Sequence, residues 1–426
     1  MLKVDRICVW LFIIGYCLLI FSLDLVKFID EVILYSMLGV VLADCVVNRS
    51  WRRYRLLFTV VGVLAAYAVY SMTCVHFNTK AAVVVGLILE FKPYIAVLVM
   101  LCIAPKLTDG DKRILRTVSL IYGALALVSL VSLETMVDAV FSHPAYYGGT
   151  CLLASMVYAY CSIDDEGRLS DKTLLIMFVI MVAGIASTRS KYYGEFIIAF
   201  VLFAFYRPGM LRRMSVGTMA GLAVVAVIFV AAVWRKFSFY FITGGSGVFD
   251  MNNMDSFARA ALYAGMVLIL MDFPLFGSGL ASFASFASAS PYSTLYERYG
   301  LNHVWGLSES MPDFISDAYY ASLAQFGIVG IILFVWFWVH IYRYLRVFTK
   351  YEDGRYKYLF AIGAVLIATL LIELTTGTMI FQPHGEYMMM VLGLVCITGK
   401  RLVAARKRET SLNAVSKHIA LPKRIR

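Results

Sequence analysis

Uninterrupted apolar runs of roughly 17 residues or more recur along this chain, the length a helix needs to cross the hydrocarbon of a bilayer. A segment placed in lipid must pair its own backbone N–H and C=O groups, which leaves helices or a closed barrel. A barrel would show short segments of alternating polarity, and these runs are continuous. Composition agrees: 61% of residues are hydrophobic and 15% charged, where a soluble domain carries about a quarter charged. The expected fold is an all-α polytopic membrane protein, a single membrane domain over 1–426.

About twelve spans are expected, near 7–23, 30–48, 56–75, 82–105, 114–133, 147–163, 172–188, 192–206, 216–234, 318–342, 358–376 and 379–398. The first follows Lys3 and Arg6 and lacks a small-residue cleavage site, so it reads as a retained span. With both termini cytoplasmic, 29 of the 38 Lys and Arg fall on inner segments and 8 on outer ones, with Lys92 inside the fourth span. This asymmetry orients the chain. It makes 235–317, between spans nine and ten, a large external loop, and 400–426 a basic cytoplasmic tail suited to anionic lipid. The eight cysteines lie in or beside apolar stretches without disulfide or metal spacing.

Polar chemistry concentrates at the outer ends of the spans. The external loop holds four cations against seven anions, so it is no basic patch and nucleic acid is not expected. Gly244, Gly245 and Gly247 read as a flexible turn. From about Asp255, an amphipathic helix capped by Asp255 or Ser256 is expected at the membrane surface, with Arg259 in its first or second turn. An arginine there opposes the helix dipole, which hints at a task other than stability. The Ala/Ser-rich run 281–290 reads as loose loop, and Asp317 or Ser316 as the cap of the tenth span. In the fourth span, Glu90-Phe91-Lys92-Pro93 has two readings: a mutually neutralising pair at a kink, or Lys92 facing an anionic ligand. Arg189 and Lys191, in the tight turn between spans seven and eight, either snorkel to lipid phosphates or turn inward. His143, beside Pro144, reads as a turn residue. Glu373 and Glu386 lie at or below the outer surface and can line one cavity. The aromatic residues between Tyr292 and Tyr320 suit an interfacial anchor or flat contact faces.

Taken together, Arg259 in an outer helix, the run Pro274-Leu275-Phe276-Gly277-Ser278-Gly279-Leu280, a variable loop and Ser316-Asp317-Ala318-Tyr319-Tyr320-Ala321-Ser322-Leu323-Ala324-Gln325-Phe326-Gly327 resemble the O-antigen polymerase and O-antigen ligase family of bacterial surface-polysaccharide assembly. The layout of the whole chain agrees, but the specific motifs cover only 189–195 and 255–330. The resemblance implies a glycosyltransferase of the bacterial inner (cytoplasmic) membrane. Its donor would be an undecaprenyl-pyrophosphate-linked oligosaccharide, its surroundings membrane lipids, and a further partner a chain-length regulator protein. Arg189 and Arg259, with Lys92 and Lys191, are then expected on the pyrophosphate, because a guanidinium forks onto phosphate oxygens. Asp317, or secondly His303, would serve as base, and Tyr319, Trp305, Glu195 and Glu386 would contact sugar. No cofactor and no metal are expected, since the outer segments hold no Asp-x-Asp cluster. Ligases typically carry a histidine in a His-Asn context near the start of the span after the loop, where this chain reads Ser316-Asp317-Ala318, which favours a polymerase with a ligase as alternative. A transporter or flippase is the rival of another class; against it, the two halves show no repeat and the charges sit at the outer ends.

Overall fold

The computed structural model describes residues 4–20, 28–132, 137, 139–208, 234, 258–350, 354, 356–377 and 379–419. Helices carry the fold, and no β-strand occurs among these residues. In chain order the main helices are α1 (Val4–Cys17), α2 (Ile29–Asn48), α3 (Arg55–Thr73), α4 (Lys80–Ile103), α5 (Asp109–Ser129) and α6 (Pro144–Ser162). They continue as α7 (Asp171–Ala183), α8 (Ser190–Ala204), α9 (Ala258–Asp272), α10 (Gly327–Leu345), α11 (Lys357–Glu373) and α12 (Pro383–Ile419). Among the described residues, Arg55–Thr73, Lys80–Ile103 and the run Tyr319–Leu345 are long and apolar enough to cross a membrane. The chain thus has the character of a helical membrane protein. The expected ninth span, the Gly244 turn and the cap at Asp255 or Ser256 lie outside the described residues, apart from Trp234.

The centre is a pair, α4 against α12, buried along most of Lys92–Ile103 and His384–Ile397. Gly393 lets them approach: a Cβ there would stand 2.7 Å from the Cβ of Met100. Small residues at crossings do this work where lipid removes the hydrophobic drive between helices. The basic tail is not a separate segment at its start. α12 runs on to Ile419, and Arg401 Nη2 donates to the carbonyl of Ala104 at 2.6 Å.

A second, smaller core lies in the polar region. One side of α9 (Ala258, Ala261, Leu262, Ile269) packs on Phe283, Leu295, Tyr296, Leu301, Leu307 and Ile315. Val267, Leu268 and Met271 on the same helix stay exposed, so α9 has two apolar sides rather than one. The Ala/Ser-rich run is not loose. Ser282, Ser285 and Ser288 are buried, Ser282 N donates to Gln325 Oε1, and Tyr296 ties to Ala284 N and Ser288 Oγ. Small side chains let the backbone pack, and their hydroxyls satisfy it locally.

This region is joined to the membrane helices by a backbone lock. Ile328 N and Val329 N donate to the carbonyls of Pro274 and Leu275, while Ser278 N and Gly279 N donate to those of Ala324 and Gln325. Gly277 and Gly327 both have positive φ, at +74° and +62°, and touch each other's segments; an added Cβ would lie 2.3 Å from the Ala324 oxygen or 2.5 Å from the Gly277 nitrogen. Only glycine fits such an approach. The lock also reshapes the tenth span. It opens as a short helix (Tyr319–Ser322) and a 3-10 turn (Leu323–Phe326) before α10, and its N-cap is Ala318, not Asp317 or Ser316. Tyr70 OH and Tyr67 OH on α3 donate to the carbonyls of Gly277 and Phe326.

Gly277→Ala and Gly327→Ala should therefore each lower the melting temperature of the detergent-solubilised protein well beyond Gly300→Ala. Gly300 shares their positive φ but has nothing within 4 Å of its would-be Cβ. It should lose only the conformational cost, roughly 1–2 kcal/mol. Equal losses at all three positions would remove the lock from the account.

Candidate functional site

Five separate stretches meet around one cavity of about 530 Å³, within the usual size range for small-molecule sites. The turn before α8 brings Arg189 and Lys191. It is formed by a 3-10 turn, Gly184–Ser187, and by Thr188 in the left-handed region. Arg189 is the N-cap of α8, and its guanidinium, a donor only, makes no cap bond to the first-turn amides. The start of α6 brings His143, which caps the helix through Nδ1, accepting from Ala145 N at 3.1 Å, with Pro144 at the first helical position. The start of α9 brings Arg259, and the segment before the tenth span brings Asp317; Glu373 at the end of α11 completes the wall.

Two ion pairs form inside. Arg259 Nη2 lies 2.6 Å from Asp317 Oδ2, the two side chains about a quarter exposed, at 27% and 23%. The same guanidinium lies 5.9 Å from the ring centroid of Phe314, which also lines the cavity. Lys191 Nζ lies 2.5 Å from Glu373 Oε2 and also donates to the Thr376 carbonyl. Arg189 Nη2 lies 3.1 Å from His143 Nε2. Glu195, on α8, is buried and lines the cavity, and its Oε1 has no hydrogen-bond partner among the described residues. Tyr263, one turn beyond Arg259, donates to the Thr375 carbonyl at 2.7 Å. Burial pushes its hydroxyl up to about 12, with Tyr320 adding and Arg259 opposing, so it remains a donor at neutral pH. Chemically the arrangement offers cations that can take an anion, a carboxylate that can take a proton, and an acceptor oxygen at the wall.

Arg189, Arg259, Lys191, Asp317 and Glu195 are thus brought together. The other candidates are not. Lys92 is buried between Asp30 and Glu31, at 2.6 and 2.5 Å, and does not line the cavity. Neither reading of the Glu90–Lys92 stretch matches the contacts, because residues two apart on a helix point to different sides. Glu90 instead accepts from Gln325 Nε2. His303 sits exposed in the turn Leu301–His303, away from the cavity lining. Tyr319 is buried, its hydroxyl 2.6 Å from that of Tyr94. Glu386 is buried elsewhere, with neither oxygen partnered among the described residues. Trp305 lies outside the wall but packs on Phe314, ring centroids 5.1 Å apart. Of Glu373 and Glu386, only Glu373 lines the cavity.

His143 was legible in sequence as a turn and not as a site residue; its place before Pro144 signalled a helix start, and the neighbouring guanidinium is a tertiary contact. Among the described residues no group of three His, Cys, Asp or Glu is arranged to hold a metal ion. Comparison with protein-family models gives no match, and comparison with curated proteins gives none.

The two kinds of ion pair should behave differently. Lys92→Met leaves two carboxylates facing each other in the interior and should cost about 3–5 kcal/mol of stability. Asp317→Asn breaks a partly exposed pair and should cost less than about 1 kcal/mol. Denaturation of the purified variants checks both, and a mild Lys92→Met would argue that Lys92 is not a structural cation.

Proposed function

We propose that the chain is a membrane glycosyltransferase that polymerises glycan repeat units carried on undecaprenyl pyrophosphate, working at the outer face of a bacterial cytoplasmic membrane. The observation that carries this reading is the convergence of Arg189, Arg259 and Asp317, remote in sequence, on one cavity. The resemblance of the same stretches to O-antigen polymerases and ligases supports it.

In this reading the sugar leaves a diphosphate, and the group that leaves gains negative charge, which Arg189 and Arg259 stabilise. The acceptor hydroxyl attacks the anomeric carbon as its proton passes to Asp317; the bond to the diphosphate oxygen breaks, and the electron pair stays with the lipid diphosphate. Asp317 accepts from Arg259 at 2.6 Å. A diphosphate is the stronger competitor for that guanidinium, so donor binding frees the carboxylate to act as base. The buried Glu195 oxygen is suited to accept from a sugar hydroxyl. Lys92, held by Asp30 and Glu31, and the remote His303 have no part in this scheme.

Arg189→Ala, Arg259→Ala and Asp317→Asn should each slow transfer by roughly 10²–10³-fold with little change in the amount of folded protein. Surface-polysaccharide length in cells carrying these variants is the readout. Single repeat units attached to the acceptor mark a polymerase; long chains still on the carrier lipid mark a ligase. Unchanged products in all three variants would overturn the assignment.

A further inference from the structure

We propose that Trp305, Phe314 and Asp313 form a subsite for a neutral sugar ring, that of the acceptor, beside the Arg259–Asp317 pair. Its assignment to the acceptor rests on the function proposed above; a glycan subsite on this segment does not.

The segment before the tenth span holds an aromatic side chain outward on fixed backbone. Val304, Leu307 and Ile315 are buried in the smaller core. Tyr292 OH donates to the Leu307 carbonyl at 2.6 Å, and Phe314 N donates to that of Gly306 at 3.0 Å. Trp305 stands between Val304 and Leu307 in the chain, yet 57% of it is exposed. Its indole packs on Phe314, ring centroids 5.1 Å apart. Phe314 in turn lines the cavity and has the Arg259 guanidinium 5.9 Å from its centroid. A large flat ring is therefore presented to solvent from a braced position, one aromatic residue away from the charged centre.

Asp313 supplies the polar half. It lines the cavity and is exposed, and its side chain has no hydrogen-bond or ion-pair partner among the described residues. Asp317 and Glu373 are taken by Arg259 and Lys191, and Glu195 is buried on α8. An ionised carboxylate only accepts, so Asp313 repels a diphosphate and receives the hydrogens of hydroxyl groups. A sugar ring shows C–H bonds on its face and hydroxyls at its rim, and a flat aromatic face next to a carboxylate matches both. Two consecutive turns, Ile315 N on Pro312 O and Asp317 N on Phe314 O, each at 3.1 Å, keep Asp313 and Asp317 on one short segment. A sugar held by Asp313 thus has its hydroxyls near the carboxylate assigned as base, and the diphosphate is left to Arg189 and Arg259 on other elements.

The probe is the diphosphate-free oligosaccharide released by mild acid from the cells' own surface polysaccharide. It is titrated into the purified full-length protein and followed by calorimetry and by tryptophan emission, beside the melting temperature of each variant. Trp305→Ala and Asp313→Ala should each bind it about tenfold more weakly and melt near the parent, since both side chains are exposed. Trp305→Phe should keep most of the affinity, because a flat ring remains, and lose the emission change that the parent shows. Parental affinity in Trp305→Ala or Asp313→Ala, an emission change that persists in Trp305→Phe, or no binding by the parent would each overturn the proposal. Oligosaccharide bound as expected by a protein whose Arg259→Ala variant makes normal polysaccharide would instead overturn the function and leave the glycan subsite standing. No binding by the parent, with shortened chains in Arg259→Ala cells, would overturn the subsite and leave the function.

Discussion

The structure depends on a short set of backbone hydrogen bonds that belong to neither a helix nor a sheet. Four amides cross between Ser278–Gly279 and Ala324–Gln325 and between Ile328–Val329 and Pro274–Leu275. Buried amides that miss a partner are costly, and in lipid there is no water to serve instead. The glycines at 277 and 327 have no side chains to hold the strands of this lock apart. The lock fixes the exit of α9 against the entry of the tenth span. Arg259 stands at the other end of α9, in its first turn, and Asp317 just before the tenth span, with 2.6 Å between them.

Charge is handled in two ways inside one molecule. Around Lys92 it is sealed: an ammonium with 4% side-chain exposure sits between two carboxylates, and the set forms part of the packing. Around the cavity it is kept open: the Arg259–Asp317 pair is about a quarter exposed. The first arrangement is expensive to disturb, whereas the second exchanges partners at small cost. That difference, more than the presence of cations, separates the sealed Lys92 from the open Arg259. It is also why Lys92 and Arg259, similar as charges at the ends of an argument about phosphate, part company in the folded chain.

Much of the layout could be read from residues alone. Apolar run length placed helices on most of the expected stretches, and the polar loop expected over 235–317 supplies Arg259, Asp313, Phe314 and Asp317 to the cavity wall. The readings that failed share a cause. Asp317 had the sequence position of a cap but is taken by a guanidinium from another segment. The run 281–290 had the composition of a loop but is held by Gln325 and Tyr296, which are remote or facing residues. Glu90 and Lys92 were close in sequence and found partners on two other segments.

By itself, then, the sequence determined what is local: helix after helix of apolar residues, the glycines that a tight crossing requires, and the presence of arginine and aspartate in the polar stretches. Hydrophobic length and backbone freedom are properties of a segment and survive without neighbours. Tertiary structure alone decided which charge meets which. The energy of an ion pair or a hydrogen bond depends on separation, burial and rival partners, and those are set only when distant segments pack together.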